Sequence, residues 1–263
     1  MDDCNDFIIA VARKAGIFLR ERLNSKHVVD YKGEINIVTE EDRLSEAMII
    51  SRIRERYPDH DILAEESTGI ARGSRYRWII DPLDGTTNYA HGYPVFCVSI
   101  AFEKDGEVHA GVIYNPMLDE MFVAEKGKGA FLNGQKITVS NTSDLSRSLL
   151  ATGFPYDIRS DRNNNINYFN GMAKSAQAIR RAGSAALDMA YIAAGRFDGF
   201  WELKLMPWDT AAGWLLICES GGTVTDLFGR AFHLEAPHIL ATNGKIHRDM
   251  VELLNKIDGE TAS

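Results

Sequence analysis

The stretch Trp78-Ile79-Ile80-Asp81-Pro82-Leu83-Asp84-Gly85-Thr86-Thr87-Asn88 decides how the rest of the chain is understood. Its apolar start predicts a strand over Tyr76–Ile80 that delivers Asp81 at its end. Pro82 then fixes φ and removes an N–H, and Asp84-Gly85 turns the chain. Two carboxylates three residues apart therefore sit on a rigid corner, with the Leu83 carbonyl between them as a further oxygen ligand. Gly85-Thr86-Thr87 exposes successive backbone N–H groups, either as an anion-binding nest or as the start of a helix. Oxygen ligands for a hard cation beside an anion cradle suit phosphate chemistry, in which Mg2+ neutralises the phosphoryl oxygens and N–H groups orient them. Taken alone, Asp-Pro-x-Asp-Gly is also an ordinary turn, so the wider chain has to separate the two.

Two acidic sites outside the corner shift the balance. Ile62-Leu63-Ala64-Glu65-Glu66 puts paired glutamates at the end of another strand, and Pro207-Trp208-Asp209-Thr210-Ala211-Ala212-Gly213 puts a carboxylate between a bulky anchor and a small-residue helix start. Each has a plain alternative: a solvated loop for the glutamates, an N-cap for Asp209. Thr39-Glu40-Glu41-Asp42 fits a capping box, and Asp42 need do no more than complete it. The combination is what those alternatives leave unexplained: acidic residues at several strand ends and helix starts, each framed by apolar segments.

The periodicity predicts a first helix through Phe7, Val11, Ala15, Phe18 and Leu23 after Asp2/Asp3, and a second from Thr39 through Ile53, stopped before Pro58. Strands are expected at Asp61–Ala64, Val95–Phe102, Val108–Tyr114 (turned at Asp105-Gly106) and Met121–Ala124. Helices follow near Asp161–Ala176, over Ser184–Ala194, from Asp209 and over Ile246–Leu254, with strands at Val224 and His238–Ala241. A meander mixed with helices argues for a layered α/β sandwich rather than a regular βαβ repeat. No linker or repeat divides the chain, which reads as a single domain over 1–263 with halves of about 1–145 and 146–263.

The 263 residues are 45% hydrophobic and 25% charged, with a net charge of −8, so disordered and collagenous classes are excluded. An acidic chain without a Lys/Arg cluster makes nucleic acid an unexpected partner. Cys4, Cys97 and Cys218 are too scattered for a disulfide framework or a zinc site. No apolar run approaches the ~20 residues of a membrane span, and Met1-Asp2-Asp3 is acidic where a signal peptide is basic, so no membrane and a cytoplasmic location are expected.

Together, the Asp81–Asn88 segment, Glu65-Glu66, Trp208-Asp209 with Ala211-Ala212-Gly213, and Asn36-Ile37-Val38-Thr39 with Asp42 resemble the inositol monophosphatase family in its own order. These are magnesium-dependent, lithium-sensitive phosphomonoesterases related to fructose 1,6-bisphosphatase. Arg180-Arg181-Ala182-Gly183-Ser184-Ala185-Ala186-Leu187-Asp188 and Ala194-Gly195-Arg196-Phe197-Asp198-Gly199-Phe200-Trp201-Glu202 are most similar to its bacterial branch. The resemblance implies the layered α-β-α-β-α sandwich and a homodimer. It implies Glu65, Asp81 and the Leu83 carbonyl as ligands of a first Mg2+, and Asp81, Asp84 and Asp209 as ligands of a second. Glu65 would also hold a third ion weakly through water. In the implied reaction a metal-activated water, held by Thr86 with Asp42 behind it, attacks a phosphate bound by the Gly85 and Thr86 N–H groups. Glu202, the Gly183-Ser184-Ala185 backbone, Asp84 and Asp209 would meet the polyol. One departure is Ala64, where many members carry Gly; Ala is small enough to spare the site unless that backbone needs φ > 0.

The implied activity is hydrolysis of inositol monophosphates. The alternatives are another small substrate (3′-phosphoadenosine 5′-phosphate, fructose 1,6-bisphosphate or histidinol phosphate) and a regulatory binding protein on the same fold. Gly129 to Lys136 superficially suggests a phosphate loop, but Gly-Lys-Ser/Thr is absent and hairpin chemistry explains the glycines. No Gly-x-Ser-x-Gly elbow supports a serine hydrolase.

Overall fold

A computed structural model describes residues 2–261, with side chains over 5–259; the first helix, expected after Asp2/Asp3, already includes both in its backbone, and the side chains of Asp2, Asp3 and Cys4 lie outside those described. In chain order come α1 (Asp2–Arg22), a hairpin of β1 (Val29–Tyr31) and β2 (Ile37–Thr39), and α2 (Glu40–Arg56). Then follow β3 (Asp61–Ala64), β4 (Tyr76–Asp84), α3 (Thr86–Ala90), β5 (Cys97–Lys104), β6 (Glu107–Asn115), β7 (Glu120–Glu125), β8 (Gly129–Leu132) and β9 (Gln135–Ile137). The remainder is β10 (Leu149–Thr152), α4 (Ile166–Ala173), β11 (Ala178–Arg180), α5 (Ala185–Ala193), β12 (Gly199–Leu203), α6 (Pro207–Glu219), β13 (Thr223–Thr225), β14 (His238–Thr242) and α7 (His247–Thr261).

β3 to β9 form a seven-stranded sheet in sequence order, parallel at β3–β4 and antiparallel from β4 onward. A second sheet has the order β11-β10-β12-β14-β13. Strand alternation sorts the side chains into layers. Trp78 and Ile80 of β4 face Ile8, Leu19 and Ile49 of α1 and α2, while Ile79 between them faces α5 and α6. In the second sheet Phe200, Ile239 and Ala241 face those same helices, and Trp201 and Leu240 face Met172 of α4 and Met250 of α7. The result is the expected α-β-α-β-α sandwich, whose central helical layer is packed from both sides. The small run of α6 has a packing reason there, since a Cβ on Gly213 would come within 2.7 Å of Met189.

Several boundaries differ from the sequence-based expectation. The Asp161–Ala176 helix shrinks to α4 because Asn165 takes a left-handed φ of 74° and the preceding Asn run forms turns. Asp161 is instead paired with Lys204. α6 starts at Pro207 rather than Asp209, with proline in its first turn and Asp209 at the third helical position. β5 begins at Cys97, not Val95, and α7 runs on to Thr261. The short strands β1, β2, β8, β9, β10 and β12 were not among those expected; each has fewer than six residues, too few for periodicity to declare itself. Asp105-Gly106 and Asn133-Gly134 both close two-residue hairpins with positive φ at each position, which disposes of the phosphate-loop alternative at Gly129–Lys136.

Candidate active site

β4 does not stop at Ile80. It continues to Asp84 through a bulge, Asp81 lying opposite Ser99 and Asp84 opposite Cys97. One extra residue against β5 bends the strand where Pro82 has no N–H to contribute. The corner is locked locally: the Leu83 N–H donates to Asp81 Oδ1 (3.0 Å), and Ser45 Oγ on α2 donates to the Pro82 carbonyl (2.9 Å). Gly85 then takes φ 103°, and a Cβ there would sit 2.9 Å from the Val95 carbonyl, so glycine is required on two counts. Asn88 Nδ2 donates to the carbonyls of Val95 (2.7 Å) and Ala182 (2.8 Å), which ties α3 to the approach to α5.

Asp84 is held at the start of α5. Its Oδ2 accepts from Ser184 Oγ (2.6 Å) and the Ala186 N–H (2.8 Å), with Cys97 Sγ 3.7 Å away. Behind the corner, Asp42 completes the capping box of α2, its Oδ2 accepting from the Thr39 N–H (2.8 Å) and the Thr39 hydroxyl. Its other oxygen, Oδ1, accepts from Thr86 Oγ1 at 2.8 Å, shorter than the 3.2 Å from that hydroxyl to the Leu83 carbonyl. A hydroxyl has one proton to donate, and the shorter bond to a carboxylate takes it. Asp42 thus does both jobs, cap and partner of Thr86. Burial pushes its pKa up to about 6, against the opposing pull of these hydrogen bonds.

Glu65, Asp81, Leu83, Asp84, Gly85, Thr86, Gly183, Ser184, Ala185, Glu202 and Asp209 all line one cavity of about 510 Å3; of the expected site residues, Asp42 alone stands behind its wall. Burial and then mutual repulsion raise the carboxyls: Asp81 well above the usual range, from burial first and then Glu65, Asp84 and Asp209; Asp209 likewise, from burial, Glu65 and Asp84. Glu65 is pushed up to about 7 by burial, although the Lys32 ammonium opposes the shift. Asp209 is more than a helix cap, since its Oδ2 accepts the Met206 N–H (2.6 Å) while the residue also faces the cavity. Among the described residues no three acidic, His or Cys side chains close on one point as a finished metal cage. Ionised carboxyls repel one another unless a proton or a cation lies between them. The all-oxygen donor set and the raised carboxyl pKa values fit hard divalent ions, which would relieve that repulsion.

Among the cavity residues that sequence reasoning gave no role are Lys32 and Asp188. Lys32, in the turn of the β1–β2 hairpin, donates to Glu65 (3.2 Å) and Glu66 (2.6 Å), so the glutamate pair is not a solvated loop. No local pattern marks a lysine for such a distant contact. Asp188 on α5 is buried and lines the same cavity; the sequence marked it only as the last residue of the Arg180–Asp188 motif, with no role attached.

Among the described residues no helix is long and apolar enough to cross a membrane. Residues 1–258 match the model of the inositol monophosphatase family. A Pseudomonas aeruginosa protein named Nus factor SuhB is 43% identical over 250 residues, covering 92% of each chain. An inositol-1-monophosphatase of Synechocystis sp. is 46% identical over 220 residues, 83% of this chain and 77% of that one. The solved structure of an inositol monophosphatase from Anabaena (Nostoc) sp. superposes with a TM-score of 0.89 at 43% identity, covering 97% of this chain and 96% of the other. Fold, carboxylate-lined cavity and likeness along nearly the whole chain agree, and the chain belongs to the inositol monophosphatase family, phosphatases that use metal ions in catalysis.

Proposed function

We propose that the chain is a Mg2+-dependent phosphomonoesterase that hydrolyses inositol monophosphates to inositol and phosphate. The observation that carries this is the meeting in one cavity of Glu65, Asp81, Asp84 and Asp209 beside the Thr86–Asp42 hydrogen bond. Glu65, Asp81 and the Leu83 carbonyl would hold one Mg2+, and Asp81, Asp84 and Asp209 a second, with a third weakly at Glu65. Bound there, divalent cations supply a lowered water pKa and neutralise charge on the phosphoryl group.

The chain's own groups do the rest. Because Thr86 Oγ1 gives its proton to Asp42, its lone pairs are left to accept from a water in the cavity and aim that water at phosphorus. As the water oxygen bonds to phosphorus, its proton moves to Thr86 Oγ1 while the Thr86 proton moves to Asp42. The bond from phosphorus to the polyol oxygen breaks, and that oxygen is protonated by water. Backbone N–H groups of Gly85 and Thr86 would hold the phosphate. Glu202, Asp84, Asp209 and the Gly183–Ala185 turn would contact the polyol. A cytoplasmic homodimer, inhibited by lithium, is the form this reading takes over from the family resemblance.

Phosphate release from inositol 1-phosphate, 3′-phosphoadenosine 5′-phosphate, fructose 1,6-bisphosphate and histidinol phosphate, with Mg2+ and again with EDTA, tests it. The expected result is Mg2+-dependent release with the highest kcat/KM for inositol 1-phosphate. A larger kcat/KM for any other ester sinks the substrate assignment, and release that survives EDTA sinks the metal assignment. Similarity to a protein named Nus factor SuhB favours a second, binding role. Partner capture by wild type and by Asp84→Asn tests that role separately from turnover.

A further inference from the structure

His27 stands in the loop between α1 and the β1–β2 hairpin, its side chain only 7% exposed. Its Nε2 donates to the Leu23 carbonyl just past the end of α1 (2.9 Å), and its Nδ1 lies 3.2 Å from Oε2 of Glu41, in the first turn of α2. Both partners are acceptors, so only an imidazolium, with a proton on each nitrogen, has a donor for both. The surroundings suit that charge: a helix C-terminus is partially negative, and Glu41 is a buried carboxyl. Among the described residues neither Nδ1 nor Oε2 has another hydrogen-bond partner. Arg22 of α1 donates to the other Glu41 oxygen (3.2 Å) and lies 3.9 Å from Glu40. The Tyr89 ring of α3 is 4.8 Å from the imidazole.

These contacts fall on the neighbours of both members of the Thr86–Asp42 pair. Glu41 directly precedes Asp42, and Tyr89 lies one turn beyond Thr86, the two being the buried residues of α3. Tyr89 is tied to α1 as well, its hydroxyl donating to the Leu19 carbonyl (2.8 Å). Burial first, then the Glu41 charge, raise the Tyr89 pKa against the pull of Arg22 and with a further push from Asp42, so the phenol stays a donor.

We propose that His27, as an imidazolium, is a positioning residue for the hydrolysis: held between the end of α1, Glu41 and Tyr89, it fixes the first turn of α2 against α3 and so keeps Asp42 where it takes the Thr86 proton. The proposal rests on the phosphatase reading and adds to it a residue that does not line the cavity. A misplacement of about 1 Å originating away from the reacting atoms can slow a reaction by up to about 10²-fold, and the 2.8 Å bond from Thr86 to Asp42 is the distance at stake.

The test measures kcat and KM for inositol 1-phosphate at saturating Mg2+, at a temperature where circular dichroism shows each variant folded. His27→Phe keeps a ring beside Tyr89 and removes both donors; it is expected to lower kcat by about tenfold with KM within about twofold of wild type. In a Thr86→Ala background the same substitution is expected to cost less than about twofold, because the hydroxyl whose proton Asp42 takes is already gone. Glu41→Gln keeps the imidazole and removes the charge it faces, and is expected to repeat the kcat loss. An equal tenfold loss with and without the Thr86 hydroxyl overturns the proposal, since His27 would then act on the fold at large. So does a wild-type kcat in either His27→Phe or Glu41→Gln, a loss confined to KM, or a failure of both variants to fold. If wild type itself releases no phosphate with Mg2+, the phosphatase reading has failed and the proposal falls with it.

Discussion

Both ends of the cavity are built from buried carboxyls, yet the protein treats them differently. Toward the β4 corner, Asp81, Asp84 and Asp209 each accept a backbone N–H, from Leu83, Ala186 and Met206, and Asp42 accepts one from Thr39. Toward β12 and α5, Asp188 Oδ1 has no donor at all, and Glu202 is located by packing against Gly153. A carboxyl pinned through main-chain N–H groups has fixed orientation and retains acceptor capacity toward a cation. A buried carboxyl without donors has nothing to stabilise its charge, and burial favours its protonated form.

The largest contrast between the ends is in the metals. Asp81→Asn is expected to reduce Mg2+-dependent phosphate release by on the order of 10³-fold, whereas Glu202→Gln is expected to cost only about tenfold, mostly in KM; equal losses would erase the division. Next, Thr86→Ala is expected to lower kcat by about 10²-fold with Thr86→Ser restoring most of it, measured at saturating Mg2+. A Thr86→Ala enzyme with wild-type kcat would remove the hydroxyl from the proton path.

A smaller effect is the pH profile. Asp42 must be ionised to accept the Thr86 proton, and its pKa is raised to about 6. Activity is therefore expected to fall as pH drops below that value, by about tenfold per unit. Asp42→Asn should lose this acid limb along with most of its activity.

Smallest is a stability difference at the other end. The Glu202 pKa is about 8 in the folded protein against an ordinary 4.5. Its contribution to stability is full below the lower value and lost as pH rises through the upper one, since only the unfolded chain readily ionises between them. The Tm advantage of metal-free Glu202→Gln over wild type is expected to grow from pH 4.5 to 8 and then level off. A constant advantage would mean that Glu202 is not held in its acid form.

How much of the site could be read in advance depended on sequence distance. The Asp81 corner, the capping box at Asp42 and the Gly85 turn are local, since proline, glycine and a three-residue spacing restrict the backbone whatever surrounds it. The long helices and the β5–β6 hairpin were legible for the same reason. Asp209 was legible as an acidic helix start, but its place in the helix was misjudged by two residues because Pro207 opens the first turn. Lys32 carries no pattern at all, since it reaches Glu65 from 33 residues away, and Asp188 closes a recognised motif whose spacing gives it no role.

The chain's order of residues alone settled the layered α/β class, the rigid acidic corner and the family, because propensity, turn chemistry and motif order are properties of short segments. Only the folded arrangement decided that the Thr86 hydroxyl meets Asp42, that Asp84 is anchored on α5, and that Asp188 and Glu202 line the same cavity. Those contacts join residues up to about a hundred positions apart, and burial raises their pKa only once packing has removed the water between them.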